Sequence, residues 1–117
     1  MATIKSYTDI LQSETLSKIL PLESADMCWQ YQKDRWVGEP DYQEFPQFEH
    51  ATDKRDIPCW SLSALLSLIP EVSLNTFKDG KWNAMIQSDG KMIYADKDNP
   101  IDTCYELILK LHELNLL

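Results

Sequence analysis

Apolar positions in the first part of the chain recur with the period of an α-helix. Thr8 or Ser6 can supply the N-cap hydroxyl of this predicted N-terminal helix, and Pro21 ends it or begins a short turn over residues 22–27. In that turn, Ala25 and Met27 are expected to point inward. The apolar face of the helix comprises Leu16, Ile19 and Leu20, with Leu11 at its edge.

A short middle helix is predicted after Pro58. Ser61 is suited to be its N-cap and Pro70 to be its stop. Between these two residues, apolar side chains at the spacing i, i+3, i+4 and i+7 define one helical face. The residues of this face are Leu62, Leu65, Leu66 and Ile69.

The C-terminal segment has the clearest helical pattern of the chain. Asn99 is a favoured N-cap, Pro100 suits the first helical position, and Asp102 complements the helix dipole in the first turn. The predicted apolar stripe contains Ile101, Cys104, Ile108 and Leu111, widened by Tyr105, Leu107 and Leu114. The residues expected to face outward are Asp102, Thr103, Glu106, Lys110 and Glu113.

Two Asp-Gly pairs between the middle and C-terminal helices predict two β-hairpins, and therefore a three-stranded meander. If both turns are two-residue loops, Phe77 faces Trp82, and Ile86 faces Ile93. The face predicted to meet the core then carries Phe77, Trp82, Ala84, Ile86, Ile93 and Ala95. The outer face carries Leu74, Thr76, Asn83, Met85, Gln87, Met92 and Tyr94.

These elements predict an α+β fold in one domain, residues 1–117. It has an N-terminal helix, a short middle helix, a three-stranded antiparallel β-meander and a C-terminal amphipathic helix packed on the sheet. The size of the chain and its hydrophobic content of 44% suit a single hydrophobic core. Residues 33–57 keep neither a helical nor a strand period, and we interpret them as a long acidic loop that contains aromatic residues.

Net charge and cysteine usage limit the classes of partner and compartment. The formal net charge of −8 argues against direct nucleic-acid binding and favours solubility or a basic protein partner. Cys28, Cys59 and Cys104 are widely spaced and odd in number, which is typical of a reducing compartment. The chain shows neither a signal-like apolar run near its start nor a stretch long enough to span a bilayer. We therefore expect a cytoplasmic protein that does not contact membranes.

Catalytic chemistry has one candidate pair in the sequence. Cys59 lies just before the middle helix, where a helix N-terminus can lower a thiol pKa, and His50 is the candidate base. A nucleophilic Cys59 must be exposed in a concave pocket within reach of a histidine or carboxylate. The alternative is a small buried residue beside Trp60. Metal-ligand spacings and glycine-rich phosphate motifs are absent, so we predict neither a metal nor a cofactor.

An aromatic and acidic segment is the best candidate for binding another protein. Interfaces are enriched in Trp and Tyr, and carboxylates at a rim steer a basic partner. The alternative is a loop that wraps its own domain and buries its aromatic rings. The candidate binding residues are Trp29, Tyr31, Trp36, Tyr42, Phe45 and Phe48.

Three hypotheses of function follow, together with an open oligomeric state. The first is a non-enzymatic protein-binding or accessory protein, the second a small enzyme with Cys59 as nucleophile. The third is a DNA-mimicking inhibitor of a basic nucleic-acid-binding protein, suggested by the acidic charge alone. The chain is expected to be a monomer, or a homodimer through the outer sheet face if Met85, Met92 and Tyr94 have no cover.

Two motifs carry a resemblance to other proteins. They are Ser-Ala-Asp-Met within residues 22–27 and Ile-Pro-Cys-Trp-Ser-Leu within residues 57–66, followed by the helical segment 105–111. In this combination the chain resembles a group of small uncharacterised bacterial proteins of prophage and other mobile elements. The resemblance covers most of the chain except residues 33–50. It implies an accessory role in a mobile element and no catalytic residues.

Overall fold

A computed structural model describes residues 5–117, so the first four residues of the predicted domain lie outside it. It confirms an α+β fold, with three α-helices and two antiparallel sheets. None of the helices in the described part of the chain is long and apolar enough to cross a membrane. The elements in chain order are α1 (Ile10–Ser17), a 3-10 turn (Leu22–Ser24), β1 (Met27–Trp29), β2 (Ile57–Cys59), α2 (Leu62–Leu68), β3 (Ser73–Thr76), β4 (Trp82–Ser88), β5 (Lys91–Lys97) and α3 (Pro100–Glu113).

The N-cap of α1 is Asp9 and not Thr8 or Ser6. The Gln12 N–H donates to the Asp9 carboxylate at 2.8 Å, and the Asp9 N–H donates to the Gln12 side-chain oxygen at 3.1 Å, which together form a capping box. Leu16 and Leu20 are buried as predicted, but Leu11 is exposed and does not join the core. The predicted cap Thr8 is instead fully buried.

The predicted caps of α2 and α3 are confirmed. The Ser61 hydroxyl accepts the Ala64 N–H at 3.2 Å, and the Asn99 side chain accepts the Asp102 N–H at 2.9 Å. Thr103, which was predicted to face outward, is fully buried. This placement is tolerated because its hydroxyl donates to the Asn99 carbonyl at 2.7 Å.

The predicted register of the second hairpin is confirmed. Ile86 lies opposite Ile93, and Ala84 lies opposite Ala95. Asp89 and Gly90 both have positive φ, 51° and 75°, as a two-residue type I′ turn requires.

The predicted register of the first hairpin is wrong by one residue. Its loop has three residues, because the Phe77 N–H donates to the Lys81 carbonyl at 2.9 Å. Thr76 therefore lies opposite Trp82, and Leu74 lies opposite Ala84 on the inner face. Phe77, which the predicted register places in the core, is 52% exposed.

The main core lies between the sheet β3-β4-β5 and α3. α3 packs against β4 and β5, and α2 packs against α3. Trp60 and Leu65 close this core from the side of α2, and both are fully buried. The buried residues of the sheet and α3 are Ala84, Ile86, Ala95, Ile101, Cys104, Leu107, Ile108 and Leu111.

A second, two-stranded sheet was not predicted. β1 pairs with β2, so that Trp29 lies opposite Ile57, and Ile57 belongs to a strand and not to a loop. Residues 41–47 return along the other side of β1. The Cys28 N–H donates to the Gln47 carbonyl at 2.8 Å, and the Gln32 N–H donates to the Asp41 carbonyl at 2.8 Å.

Residues 27–47 thus form a hairpin-like arm, with its tip at residues 33–40. The molecule is elongated, with dimensions of 53 × 35 × 19 Å. Its radius of gyration is 15.5 Å, compared with about 13 Å for a compact domain of this length. Much of the segment 33–57, which was interpreted as a loop, therefore belongs to an arm whose two sides are paired by backbone hydrogen bonds.

Candidate functional site

Side-chain hydrogen bonds hold the two sides of the arm together. The Gln32 amide donates to the carbonyls of Pro40 and Tyr42 at 2.8 and 3.1 Å. Arg35 forms an ion pair with Asp41 at 2.7 Å and donates to the Glu39 carbonyl at 2.8 Å. These bonds satisfy backbone groups that the irregular pairing would otherwise leave to water.

The tip of the arm is a closed turn over residues 36–39. The Glu39 N–H donates to the Trp36 carbonyl at 3.0 Å, and the Trp36 N–H donates to the Glu39 carboxylate at 3.1 Å. Gly38 has a φ of +92°, a conformation that glycine adopts without steric strain at the third position of such a turn. Trp36 and Val37 are therefore presented to solvent by an ordered turn.

Asp56 anchors the base of the arm. Its carboxylate accepts the N–H groups of Tyr31, Thr52 and Asp53 at 2.8, 3.1 and 3.1 Å. Burial raises the pKa of Asp56, but the three N–H donors outweigh this effect and hold the pKa below its usual range. The folded arm therefore stabilises the ionised form of the Asp56 carboxyl group.

We expect the stabilisation from Asp56 to disappear in acid. Because the folded pKa is depressed, the contribution is present above the unfolded pKa of about 3.9 and is lost as the pH falls through the folded pKa. Asp56→Asn should be less stable than the wild type at pH 7, and the difference should narrow below about pH 4. Urea unfolding from pH 7 to pH 2.5 measures it. A difference that stays constant over this range would contradict the assigned role.

The six candidate binding residues divide into two groups. Trp29, Tyr31 and Tyr42 belong to the frame of the arm. The Trp29 indole N–H donates to the Thr8 carbonyl at 3.2 Å, and the rings of Tyr31 and Tyr42 make an edge contact with centroids 5.8 Å apart. The exposed group is Trp36 at 79%, Phe48 at 74% and Phe45 at 58%.

Arg55 completes the frame beneath the tyrosines. Its guanidinium lies 4.0 Å from the centre of the Tyr31 ring, and its carbonyl accepts the Tyr42 hydroxyl at 2.8 Å. Asp53 pairs with Arg55 at 3.0 Å and with Lys33 at 3.2 Å. The alternative interpretation was an aromatic segment that packs on its own domain. It describes Trp29, Tyr31 and Tyr42, but it does not describe the exposed Trp36, Phe45 and Phe48.

Cys59 does not meet the conditions for a nucleophile. It is fully buried, and its thiol lies 3.4 Å from the Thr8 carbonyl and 3.5 Å from the Thr8 hydroxyl. Burial raises the pKa of Cys59. His50 is exposed and lines a cleft of about 250 Å³ with Pro58, but Cys59 does not reach that cleft. The arrangement corresponds to the small buried residue of the alternative interpretation.

Within residues 5–117, no group of three or more His, Cys, Asp or Glu side chains is arranged so that it could hold a metal ion. Cys28 and Cys104 are both buried free thiols. Burial raises the pKa of Cys104 to about 11, so this thiol stays protonated near neutral pH.

Open clefts border the arm, and two of them have mainly apolar linings. One, of about 680 Å³, is lined by Tyr7, Met27 and Phe48 together with Asp26. The other, of about 780 Å³, lies between α1 and the arm. Sequence reasoning missed Ile10 and Pro40, which line this second cleft, because neither carries a chemical signal and only the folding of the arm brings them together.

The outer sheet face is a third apolar surface. Phe77, Met92 and Tyr94 are each at least half exposed, and Met85 is partly buried.

Comparisons of the chain with protein-family models, curated proteins and solved structures find no match.

Proposed function

We propose that this chain is a non-enzymatic binding protein that contacts another protein through the tip of its arm. The observation that carries the proposal is the exposure of Trp36. Its side chain is 79% exposed, and two hydrogen bonds between Trp36 and Glu39 close the turn on which it lies. A tryptophan in this exposed position contributes little to the stability of the isolated chain. Burial of the same ring in a partner supplies a large apolar area at one residue.

The order of the arm favours affinity. An ordered tip loses less conformational entropy on binding than a free loop does, so more of the contact energy appears as affinity. The Arg35–Asp41 ion pair and the Gln32 hydrogen bonds fix the orientation of the tip before any partner arrives. Val37 next to Trp36 is also fully exposed and enlarges the apolar contact.

The proposed partner is basic. The chain has a formal net charge of −8, and exposed carboxylates surround the tip and its flanks. Such carboxylates attract a basic surface at long range and orient it before contact. These exposed acidic residues are Asp34, Glu39, Asp41, Glu44 and Glu49.

The biological setting forms part of the same proposal. The resemblance carried by the Ser-Ala-Asp-Met and Ile-Pro-Cys-Trp-Ser-Leu motifs supports an accessory protein of a mobile element, and the three widely spaced cysteines support a cytoplasmic location. In the fold both motifs are structural. Asp26 accepts the Ser61 N–H at 3.0 Å and also the Ser61 hydroxyl, so the first motif is joined to the second at the start of α2.

A peptide-display selection tests the proposal and does not require that the partner be identified first. A random library is selected on the immobilised protein, and the affinities of the selected peptides are measured by fluorescence anisotropy. We expect basic peptides with an apolar residue, and Trp36→Ser should weaken their binding by about tenfold or more, as hot-spot tryptophans do.

Phe77→Ser is the matched control, because Phe77 is an exposed aromatic residue on a different surface. It should leave the affinity of the selected peptides unchanged. If Trp36→Ser binds the peptides as tightly as the wild type does, the arm tip is not the contact surface. If Phe77→Ser weakens binding instead, the outer sheet face is the interface.

A further inference from the structure

The cleft between α1 and the arm combines an apolar floor with an acidic rim. Its floor is formed by side chains of α1, β1, the arm tip and the returning side of the arm, namely Ile10, Trp29, Pro40 and Tyr42. Its rim carries Glu39, Asp41 and Glu44. The cleft volume of about 780 Å³ lies in the range of sites that enclose a ligand or a few side chains.

The rim carboxylates differ in their partners. Asp41 is paired with Arg35 at 2.7 Å, and the Glu39 carboxylate accepts the Trp36 N–H. Glu44 is exposed and forms neither a hydrogen bond nor an ion pair with any side chain in residues 5–117. One negative charge at the mouth of the cleft therefore has no counterion from the part of the chain that is described.

Glu14 on α1 does not line the cleft, but its carboxylate acts on the Tyr42 hydroxyl within it. Burial, followed by the carboxylates of Glu14 and Asp41, raises the pKa of the Tyr42 hydroxyl. An aromatic floor beneath a negative potential favours a cation, since the face of an aromatic ring also carries partial negative charge.

We propose that this cleft binds a lysine or arginine side chain, flanked by an apolar residue, from an extended segment of the partner protein. This inference rests on the proposed function and names the chemistry of its partner. The methylene stem of the basic residue covers the apolar floor, and its charged head reaches Glu44 at the rim. The neighbouring apolar residue contacts Ile10 and Pro40.

Charge complementarity selects this occupant over others. A phosphate backbone or an acidic peptide meets repulsion from the rim carboxylates, and a purely apolar segment leaves Glu44 beside it without a counterion. The returning side of the arm joins the cleft directly to the exposed tip, so that one extended segment can contact both surfaces.

Nuclear magnetic resonance of the nitrogen-15-labelled full chain tests the inference. The probe is the blocked peptide Leu-Arg-Leu-Arg-Leu, compared with Leu-Glu-Leu-Glu-Leu and with spermine. The Trp29 indole N–H signal reports on the cleft, and the Trp36 indole signal reports on the tip. We expect the arginine peptide to shift the Trp29 signal in a saturable way, weakened by added salt, whereas the glutamate peptide should not.

Carboxylate variants locate the charge that is responsible. Glu44→Gln should weaken binding of the arginine peptide by about fivefold or more, since it removes the contact between two charged groups. Adding Glu14→Gln should weaken binding further through the loss of a nearby negative charge. Glu113→Gln, an exposed change on α3, should have no effect. Equal binding of the glutamate peptide, or spermine binding as tight as that of the arginine peptide, would overturn the inference.

The outcomes also separate this inference from the proposed function. Trp36→Ser leaves the cleft intact, so the shift of the Trp29 signal should persist in that variant. If the arginine peptide fails to shift Trp29 while selected peptides still depend on Trp36, the cleft inference is wrong and the arm-tip proposal stands. If Trp29 shifts but no selected peptide depends on Trp36, the cleft is a binding site and the tip is not.

Discussion

Trp60→Ala should lower the free energy of unfolding by about 3–5 kcal/mol, as is typical of a buried tryptophan truncated in a core. Trp60 is fully buried in the main core, and its indole N–H donates to the Ser24 hydroxyl at 3.0 Å. The substitution leaves a cavity and removes a hydrogen bond that joins the 3-10 turn to the start of α2. Urea unfolding followed by circular dichroism measures the change.

Two further variants separate packing from other causes. Trp36→Ala removes an equally large side chain that is 79% exposed, and it should change stability by no more than about 0.5 kcal/mol. Trp60→Phe keeps an aromatic ring in the core, so its loss of unfolding free energy should lie between those of Trp36→Ala and Trp60→Ala. This variant also provides the test if Trp60→Ala does not fold. Equal losses from Trp36→Ala and Trp60→Ala would show that Trp60 does not organise the core.

The C-terminal half of the fold was predictable because its signals are local. The cap, first-turn proline and buried apolar stripe of α3 lie within residues 99–111, and each acts on neighbours one or two turns away. Leu114, which was predicted to widen this stripe, is instead the C-cap and is 55% exposed. The two Asp-Gly turns show where such signals end. Asp89 adopts a positive φ and gives a two-residue loop, whereas Asp79 does not, and Gly80 alone has a positive φ in a three-residue loop. The Asp-Gly dipeptide alone does not determine whether the hairpin loop has two or three residues.

The small sheet was not predictable from local pattern. β2 has three residues with Pro58 at its centre, and a proline cannot donate to a ladder, so the segment does not resemble a strand. It is accommodated because β2 lies at the edge of its sheet and pairs only with β1. The return of residues 41–47 along β1 lacks a short-turn dipeptide, and only the folded chain shows that Gln47 meets Cys28.

The candidate site was predictable in composition but not in arrangement. The sequence singled out Trp36 and Phe48 with the acidic residues around them, because aromatic and charged residue types carry that signal. It could not separate them from Trp29 and Tyr42, since burial depends on pairing between residues far apart in the chain. The cleft floor at Ile10 arises only when α1 meets the arm.

Thr8→Val should lower the free energy of unfolding by about 2 kcal/mol, within the range of about 1–3 kcal/mol for a buried polar group left without a partner. Thr8 is fully buried, and its hydroxyl accepts the Trp60 N–H at 3.1 Å and lies 2.7 Å from the Ser13 hydroxyl. The sequence suggested a helix cap for this residue. In the fold it joins α1 to the segment between β2 and α2, and valine matches its shape without its hydrogen bonds.

Thr76→Val is the matched control, because Thr76 is exposed on β3 and valine suits a strand. Its effect should stay within about 0.5 kcal/mol of zero. Ser13→Ala and the double variant complete a cycle with Thr8→Val, and the two losses should not add, since both variants remove the same hydroxyl contact. Full additivity, or a loss from Thr8→Val no larger than that from Thr76→Val, would mean that this buried hydroxyl pair does not hold α1 to the segment between β2 and α2.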